Sequence, residues 1–298
     1  TLNISSGPDH LVIAGNTSFM TGTCQAYTIT TKDTAGNTAD TLSTTNVNLN
    51  DGVASGVFYE ENTCVTGITS VEIASGANTA TVYYKNNVAE GAVVSATDSA
   101  GALTTGTLSI TLGPDRIIVA GSSSFKAGTC QAYTLTTKDA AGNTANVLTA
   151  TTIDIDDGLA SGAFYSENTC ATAITQASLT SGNNTTTVYY KNNVGEAITL
   201  SAADGAASLT TGTLAVTSGP SQLTIAGSTS FQSGTCQAYT ITTKDAAGNA
   251  VDALANTTVD LDDGVASGTF YSDNGCTASI AQTLVASGAD TKTVYYKN

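Results

Sequence analysis

One stretch of sequence that occurs three times at a fixed spacing constrains the fold more than any other feature. It reads GTCQAYTITTKDTAGN at Gly22–Asn37, GTCQAYTLTTKDAAGN at Gly128–Asn143 and GTCQAYTITTKDAAGN at Gly234–Asn249, a step of 106 residues each time. The cysteines and the prolines keep the same step. A period of this length indicates an array of similar units. The 298 residues therefore predict three units in tandem, the last shorter than the others.

The charge balance of the chain is acidic and excludes several classes of partner. Only 9 basic residues stand against 24 acidic ones, which gives a net charge of −15. A protein that binds nucleic acid needs a basic surface, and an anionic membrane surface repels a chain of this charge. No apolar run approaches the roughly 20 residues that span a bilayer. We therefore expect no nucleic-acid partner and no membrane insertion in this segment.

The cysteines fall two to a unit, with 40 residues between the members of each pair. Zinc sites usually contain closely spaced C-x-x-C pairs, which this sequence lacks. An even number of cysteines at matched spacing predicts one disulfide in each unit, and hence an oxidising compartment. The alternative is three pairs of buried free thiols. The predicted disulfides are Cys24–Cys64, Cys130–Cys170 and Cys236–Cys276.

Alternating apolar and polar residues indicate short β-strands throughout each unit. Tyr27, Ile29 and Thr31 show the period-two pattern of a half-buried strand. The following segment, Lys32–Asn37, contains the Asp, Gly and Asn residues that favour turns. About seven such strands in roughly a hundred residues predict an all-β Greek-key sandwich without long helices. The same alternation puts Cys24 on the outer face of the sandwich, unless a bulge intervenes.

The strand and turn T-T-K-D-A-A-G-N resemble the signature of bacterial immunoglobulin-like domains, the tandem repeats of invasin- and intimin-type surface proteins. The resemblance covers all three units and implies three tandem immunoglobulin-like β-sandwich domains. The cysteines depart from the antibody pattern, since the chain has no tryptophan and the second cysteine of each unit follows Phe58-Tyr59 or its equivalent, near mid-domain.

Proline and glycine mark the boundaries of the units. The segment TLNISSG at 1–7 aligns with TLSITLG at 107–113, so residues 1–7 are predicted to be the closing strand of a preceding repeat. The predicted units are 8–113, 114–219 and 220–298, the last incomplete at its C-terminus. We expect a longer chain that supplies the missing strands. The alternative is that strands from a neighbouring copy complete the unit.

Aspartate clusters at the end of one predicted strand are a candidate calcium site, because calcium prefers oxygen ligands. The alternative is the solvent face of a strand that runs into a tight turn. In the first unit Asn48 and Asn50 stand in place of two of the carboxylates, so we expect no metal or other cofactor to be required. The candidate calcium ligands are Asp154, Asp156, Asp157, Asp260, Asp262 and Asp263.

Consecutive tyrosines close each unit's predicted late strand, with one ring directed inward and one outward. The outer ring is a candidate for stacking on a sugar, and the alternative is an aromatic contact between strands on the sheet surface. The candidate surface-contact aromatics are Tyr83, Tyr84, Tyr189, Tyr190, Tyr295 and Tyr296.

Few residues in this sequence are of the types and in the arrangements that catalysis requires. His10 is the only histidine, and Arg116 and Gln222 occupy the equivalent positions, so no catalytic site is repeated and we expect no enzyme. Between Pro114–Asn192 and Pro220–Asn298, 47 of 79 positions are identical without a gap, including predicted surface positions. Similar surfaces suggest that each unit makes the same contacts.

We therefore expect an extracellular structural protein of the cell surface, a rigid stalk or a filament that associates with copies of itself along or beside the fibre. The alternative is an adhesin module that binds a glycan or a protein on another surface.

Overall fold

The computed structural model describes residues 7–298, and these residues form strands, turns and loops without a helix. No helix that could cross a membrane is therefore found among them. The predicted closing strand at residues 1–7 lies, except for Gly7, outside the described residues.

The first domain contains ten strands in two five-stranded sheets. One sheet has the order β1-β3-β8-β5-β6 and the other the order β2-β10-β9-β4-β7. Neighbouring strands are antiparallel except for β2 and β10, which are parallel. The strands are β1 His10–Gly15, β2 Ser18–Met20, β3 Gln25–Lys32, β4 Thr45–Asn50, β5 Gly56–Tyr59, β6 Gly67–Ile68, β7 Ser70–Ile73, β8 Thr79–Asn86, β9 Gly91–Asp98 and β10 Gly106–Gly113.

The second domain repeats this arrangement strand for strand. Its sheets have the orders β11-β13-β18-β15-β16 and β12-β20-β19-β14-β17. The strands are β11 Arg116–Gly121, β12 Ser124–Lys126, β13 Gln131–Lys138, β14 Thr151–Asp156, β15 Gly162–Tyr165, β16 Ala173–Ile174, β17 Gln176–Leu179, β18 Thr185–Asn192, β19 Ala197–Asp204 and β20 Gly212–Gly219.

The third domain keeps the first sheet, in the order β21-β22-β27-β24-β25, and pairs β23 with β26 in the second. The described residues contain no equivalents of β9 and β10 in this domain. The strands are β21 Gln222–Gly227, β22 Gln237–Lys244, β23 Thr257–Asp260, β24 Thr269–Tyr271, β25 Ser279–Ile280, β26 Gln282–Val285 and β27 Thr291–Lys297.

Residues from the inner faces of both sheets form one core in each of the first two domains. In the first domain Tyr27 and Ile29 of β3 meet Val47 of β4 and Val94 of β9, all buried. The alternation read from the sequence is therefore the alternation between the core and the outer face. These observations confirm the all-β fold of tandem sandwiches.

Apolar residues of β21 are exposed in the third domain because no strand covers them. Leu223 is 47% exposed and Ile225 is 54% exposed, whereas Leu11 and Ile13 at the equivalent positions of β1 are 2% and 6% exposed. An open groove of about 660 Å³ runs from Ile225 past the domain's central tyrosine ring. The third domain thus buries less apolar surface than the other two.

Each domain contains one disulfide that joins two strands lying on either side of a third. In the first domain the disulfide links Cys24, directly before β3, to Cys64, in the loop after β5. Since β3 and β5 flank β8 in the sheet, the link crosses β8. Cys24 is only half-buried and precedes the strand, which agrees with a link on the outer side of the sandwich. The second and third domains repeat this link with Cys130–Cys170 and Cys236–Cys276.

Replacing Cys130 and Cys170 with alanine should destabilise the second domain by about 4 kcal/mol, because a loop of about 40 residues is no longer closed in the unfolded chain. Thermal unfolding of the double variant beside the unmodified chain measures the loss. Peptide mapping without reduction identifies the partners. Bridges between domains, or six free thiols, would contradict this pairing.

Candidate functional site

The contacts between consecutive domains are built on the turn of the repeated stretch. In the second domain this turn follows β13. The Asp139 carboxylate accepts hydrogen bonds from the backbone N–H of Asn143 at 2.7 Å and from its side-chain amide at 3.1 Å. Gly142 has a φ of 94°, a left-handed conformation that glycine adopts without a steric cost. The Asp, Gly and Asn of the motif therefore fix the shape of this turn.

The same turn binds the end of the preceding domain, and we call this contact the first joint. The backbone N–H of Ala89 donates to Asp139 Oδ2 at 3.1 Å. In the opposite direction, the N–H of Ala141 donates to the carbonyl oxygen of Asn87 at 2.9 Å. The N–H of Ala140 donates to Thr21 Oγ1 at 3.0 Å. The first joint is thus a set of hydrogen bonds between the turn and two loops of the first domain.

The second joint, between the second and third domains, repeats this geometry. The N–H of Gly195 donates to Asp245 Oδ2 at 3.0 Å, and the N–H of Ala247 donates to the carbonyl oxygen of Asn193 at 3.1 Å. Ala127 stands where the first joint has Thr21, so the second joint lacks the hydroxyl acceptor. Two of the three hydrogen bonds are therefore common to both joints.

Small residues allow the domains to approach closely at both joints. A Cβ atom at Gly113 would lie 3.0 Å from Leu148 Cγ, and one at Gly219 would lie 2.4 Å from Leu254 Cδ1. Side chains of the following domain therefore rest against the glycine that ends the preceding one. The sequence motif Gly-Pro at each boundary is part of the contact rather than a free linker.

The joint carboxylates are buried, in contrast to the equivalent residue of the first domain. Burial raises the pKa of Asp139, but hydrogen bonds from Ala89 and Asn143 outweigh it, and the pKa lies below the ordinary value. The pKa of Asp245 is lowered for the same reasons. A lowered pKa means that this stabilisation is present above the unfolded pKa of about 3.9 and is lost as the pH falls through the folded value. The joint carboxylates are therefore ionised at neutral pH.

A second carboxylate lies beside the first joint. Burial raises the pKa of Asp115, the neighbouring Arg116 opposes that shift, and the charge of Asp139 adds to it. Arg116 Nη1 lies 3.4 Å from Asp115 Oδ2. The guanidinium therefore compensates part of the negative charge that the joint brings together.

The aspartates predicted to bind calcium have three different environments in the second domain. Asp154 and Asp156 lie on the exposed face of β14, where Asp154 accepts from the Gln176 side chain at 2.7 Å and Asp156 from the Gly158 N–H at 3.1 Å. Asp157 turns into the core and accepts from the Tyr190 hydroxyl at 2.5 Å. Asp154 and Asp156 thus share the outer face, each with a protein donor, whereas Asp157 lies on the opposite, inner face.

The third domain repeats this separation. Asp260 accepts from Gln282, Asp262 from the Gly264 N–H and Asp263 from the Tyr296 hydroxyl. Within residues 7–298 no group of three or more His, Cys, Asp or Glu side chains is arranged to hold a metal ion. The acidic loops thus form turns and core hydrogen bonds.

Half of the tyrosines predicted as surface contacts belong to the core instead. Tyr84, Tyr190 and Tyr296 are buried, each surrounded by aromatic rings with its hydroxyl on an aspartate. In the first two domains the inner ring is enclosed in the core, whereas Tyr296 borders the open groove of the third domain. The outer rings of Tyr83, Tyr189 and Tyr295 are half-buried and lie directly opposite Tyr59, Tyr165 and Tyr271 on the neighbouring strand.

The joint residues were absent from the candidate sites chosen on sequence alone. Asp139 and Asp245 stand at positions where aspartate is common in turns. A turn motif does not reveal that its carboxylate also binds another domain. The signal was the strict repetition of the whole turn at the same spacing as the domains. That repetition indicates a repeated contact without identifying its partner.

Tyr190→Phe should destabilise the second domain by about 1 to 3 kcal/mol, because the buried Asp157 loses its hydrogen-bond donor. Tyr133→Phe is the matched control, since the Tyr133 hydroxyl donates to the carbonyl oxygen of the exposed residue Ser122, which water can solvate instead. Chemical denaturation of both variants provides the comparison. Equal losses of stability would show that the hydrogen bond from Tyr190 to Asp157 contributes no more than the one from Tyr133 to Ser122.

Removal of metal ions should leave stability unchanged, because the acidic loops are satisfied by protein donors. The measurement is the melting temperature with EDTA and again after calcium is added. A marked fall with EDTA that calcium reverses would show that these carboxylates are ligands after all.

No protein-family model matches the chain, and no curated protein matches it. Among solved structures, it is similar to the Escherichia coli adhesin FdeC, with 15% identity, a TM-score of 0.41 and coverage of 99% of this chain and 91% of that chain. It is also similar to invasin, titled a bacterial integrin-binding protein, with 12% identity, a TM-score of 0.37 and coverage of 97% and 54%. A third similar structure is the Yersinia pseudotuberculosis adhesin InvE, with 18% identity, a TM-score of 0.29 and coverage of 70% and 58%.

Proposed function

We propose that this chain is part of a rigid, extended structural element on the outside of a cell, a stalk or a fibre whose domains are held end to end. The observation that carries the proposal is the repeated joint. The same aspartate, the same backbone donor position and the same backbone carbonyl position connect both pairs of neighbouring domains. When the same fixed contact is repeated along a chain, the length of the array increases with the number of domains.

The short connections between domains support this proposal. β10 ends at Gly113 and β11 begins at Arg116, so only Pro114 and Asp115 lie between the strands. Proline fixes its own φ and restricts the residue before it. Hydrogen bonds to a charged acceptor contribute about 1.5 to 3 kcal/mol each. Together these features oppose rotation of one domain against the next.

The location outside the cell follows from the disulfides, which persist in oxidising compartments. The partners that fit this function are copies of the same chain, placed along or beside the fibre. Each domain has similar surfaces because the repeats are similar, so one kind of lateral contact can recur at every domain.

A second candidate function is adhesion through a glycan. It is favoured by one observation, the recurrence of two half-exposed tyrosines opposite each other on the outer face of every domain, Tyr59 and Tyr83 in the first. Aromatic rings offer apolar faces on which sugar rings stack. Saturable binding of a glycan that is lost on replacing Tyr83, Tyr189 and Tyr295 with alanine would favour this alternative.

Asp139→Ala should loosen the first joint and broaden the distribution of angles between the first two domains, because Ala89 loses its acceptor. Small-angle X-ray scattering of the whole chain should show a smaller radius of gyration and a less extended particle. The double variant that also carries Asp245→Ala should show the larger effect.

Asp33→Ala is the matched control for the joint variants. Asp33 makes the same contacts to Asn37 within its own turn but is only half-buried and has no contact with another domain among the described residues. It should therefore leave the scattering profile unchanged. A flexible, compact unmodified chain, or equal effects from Asp33→Ala and Asp139→Ala, would overturn the proposed function.

A further inference from the structure

Besides the exchange of Thr21 for Ala127, the two joints differ at a pair of facing positions. Residue 195 stands one repeat after Ala89, in the loop that donates its N–H to the joint aspartate, and it is glycine. Residue 251 stands one repeat after Ala145, and it is valine. Between the first joint and the second, one side of the contact therefore becomes smaller and the other larger.

The glycine at position 195 is required by space and not by backbone conformation. Gly195 is not among the glycines with positive φ, so an alanine fits its backbone, as Ala89 shows at the equivalent place. A Cβ atom at Gly195 would however lie 2.4 Å from Val251 Cγ2 and 2.9 Å from Val251 Cβ. Such contacts are far inside van der Waals distance.

Neither side of this contact is free to retreat. The Val251 N–H donates to the Thr243 carbonyl oxygen at 3.1 Å, and the Val251 carbonyl oxygen accepts from the Thr243 hydroxyl at 2.6 Å. Gly195 is fixed by its own hydrogen bond to Asp245. Valine is also stiff at χ1, so the side chain cannot rotate away cheaply.

At the equivalent place the first joint is open instead of tightly packed. Ala89 and Ala145 both line an open groove of about 430 Å³ between the first two domains. The loop sequences around the two positions, Asn86–Glu90 and Asn192–Glu196, otherwise match residue for residue. Beside the facing residue, Thr144 and Asn146 are replaced by Ala250 and Asp252. The close contact across the second joint is made by Gly195 and Val251.

We infer that residues 195 and 251 are a size-matched pair that determines which domains dock on each other. We call the face of a domain that contacts the preceding domain its leading face. The leading face of the third domain, which contains Val251, accepts a preceding domain that has glycine in this loop and rejects one that has alanine. The leading face of the second domain, with Ala145, accepts either. This inference rests on the proposed function of the joints and assigns their selectivity.

A pair of this kind distinguishes the order of domains found in this chain from a rearranged order. An end with the loop of the first domain, Asn86–Glu90, is excluded from the third domain's leading face by the Cβ atom of Ala89. Docking in the wrong order therefore loses the hydrogen bonds that hold the joint, while the order in the chain keeps them.

Gly195→Ala in the whole chain should raise the hydrogen-exchange rate of the Ala247 amide, which crosses the second joint, by about 10-fold or more, as expected for overpacking at a fixed contact. Gly195→Ala combined with Val251→Ala should restore slow exchange. The Ala141 amide, at the first joint, is the internal control and should not change in either variant.

The reciprocal experiment moves the pair into the first joint. Ala145→Val alone should accelerate exchange of the Ala141 amide by a similar factor, and Ala89→Gly together with Ala145→Val should restore it. Near-additive effects in both cycles, with no rescue, would overturn the inference even if scattering shows rigid joints. Fast exchange of Ala141 and Ala247 in the unmodified chain would instead contradict the proposed function itself.

Discussion

One turn aspartate in each joint fixes both the shape of a turn within its own domain and the contact of that domain with the preceding one. Asp139 holds its own turn together through Asn143 and at the same time accepts the N–H of Ala89 in the preceding domain. The turn is therefore rigid before it meets its partner, and little conformational freedom remains to be lost at the joint. Burial alone would penalise this charge, and the converging N–H groups keep it ionised. The arrangement of consecutive domains follows from this shared acceptor.

Within each domain a second aspartate has a comparable role in the core. Asp157 directly follows β14, points inward and accepts from Tyr190, whose ring contacts Phe164 and Tyr133. Burial and this hydrogen bond raise the pKa of Tyr190, so the hydroxyl remains a donor at neutral pH. The turn after the strand is thereby tied to the centre of the sandwich. The buried member of the acidic sequence that suggests a metal site thus has a hydrogen-bonding role in the core.

The third domain shows what the second sheet contributes to a sandwich of this kind. Its disulfide, its tyrosine network and its joint to the second domain match those of the other domains. Its exposed β21 shows that the strands equivalent to β9 and β10 provide the cover for the inner face of the first sheet. In the first two domains the residues equivalent to Leu223 and Ile225 are buried beneath these strands.

The sequence by itself determined the number of domains, the strands and the cysteine pairs, because spacing and alternation are properties of the chain that each domain repeats. Tyr27 and Ile29 could be assigned to the core from period two alone, since a strand has only two faces. Only the tertiary structure decided what Asp139 binds, since its partner Ala89 lies 50 residues away and has no sequence signature. It also decided that the inward-facing Asp157 accepts from Tyr190, because period two places Asp157 in phase with Ile153 and Ile155 but does not identify its partner. The match between Gly195 and Val251 became visible only when the two domains were in contact, because steric fit is a property of facing surfaces and not of either segment.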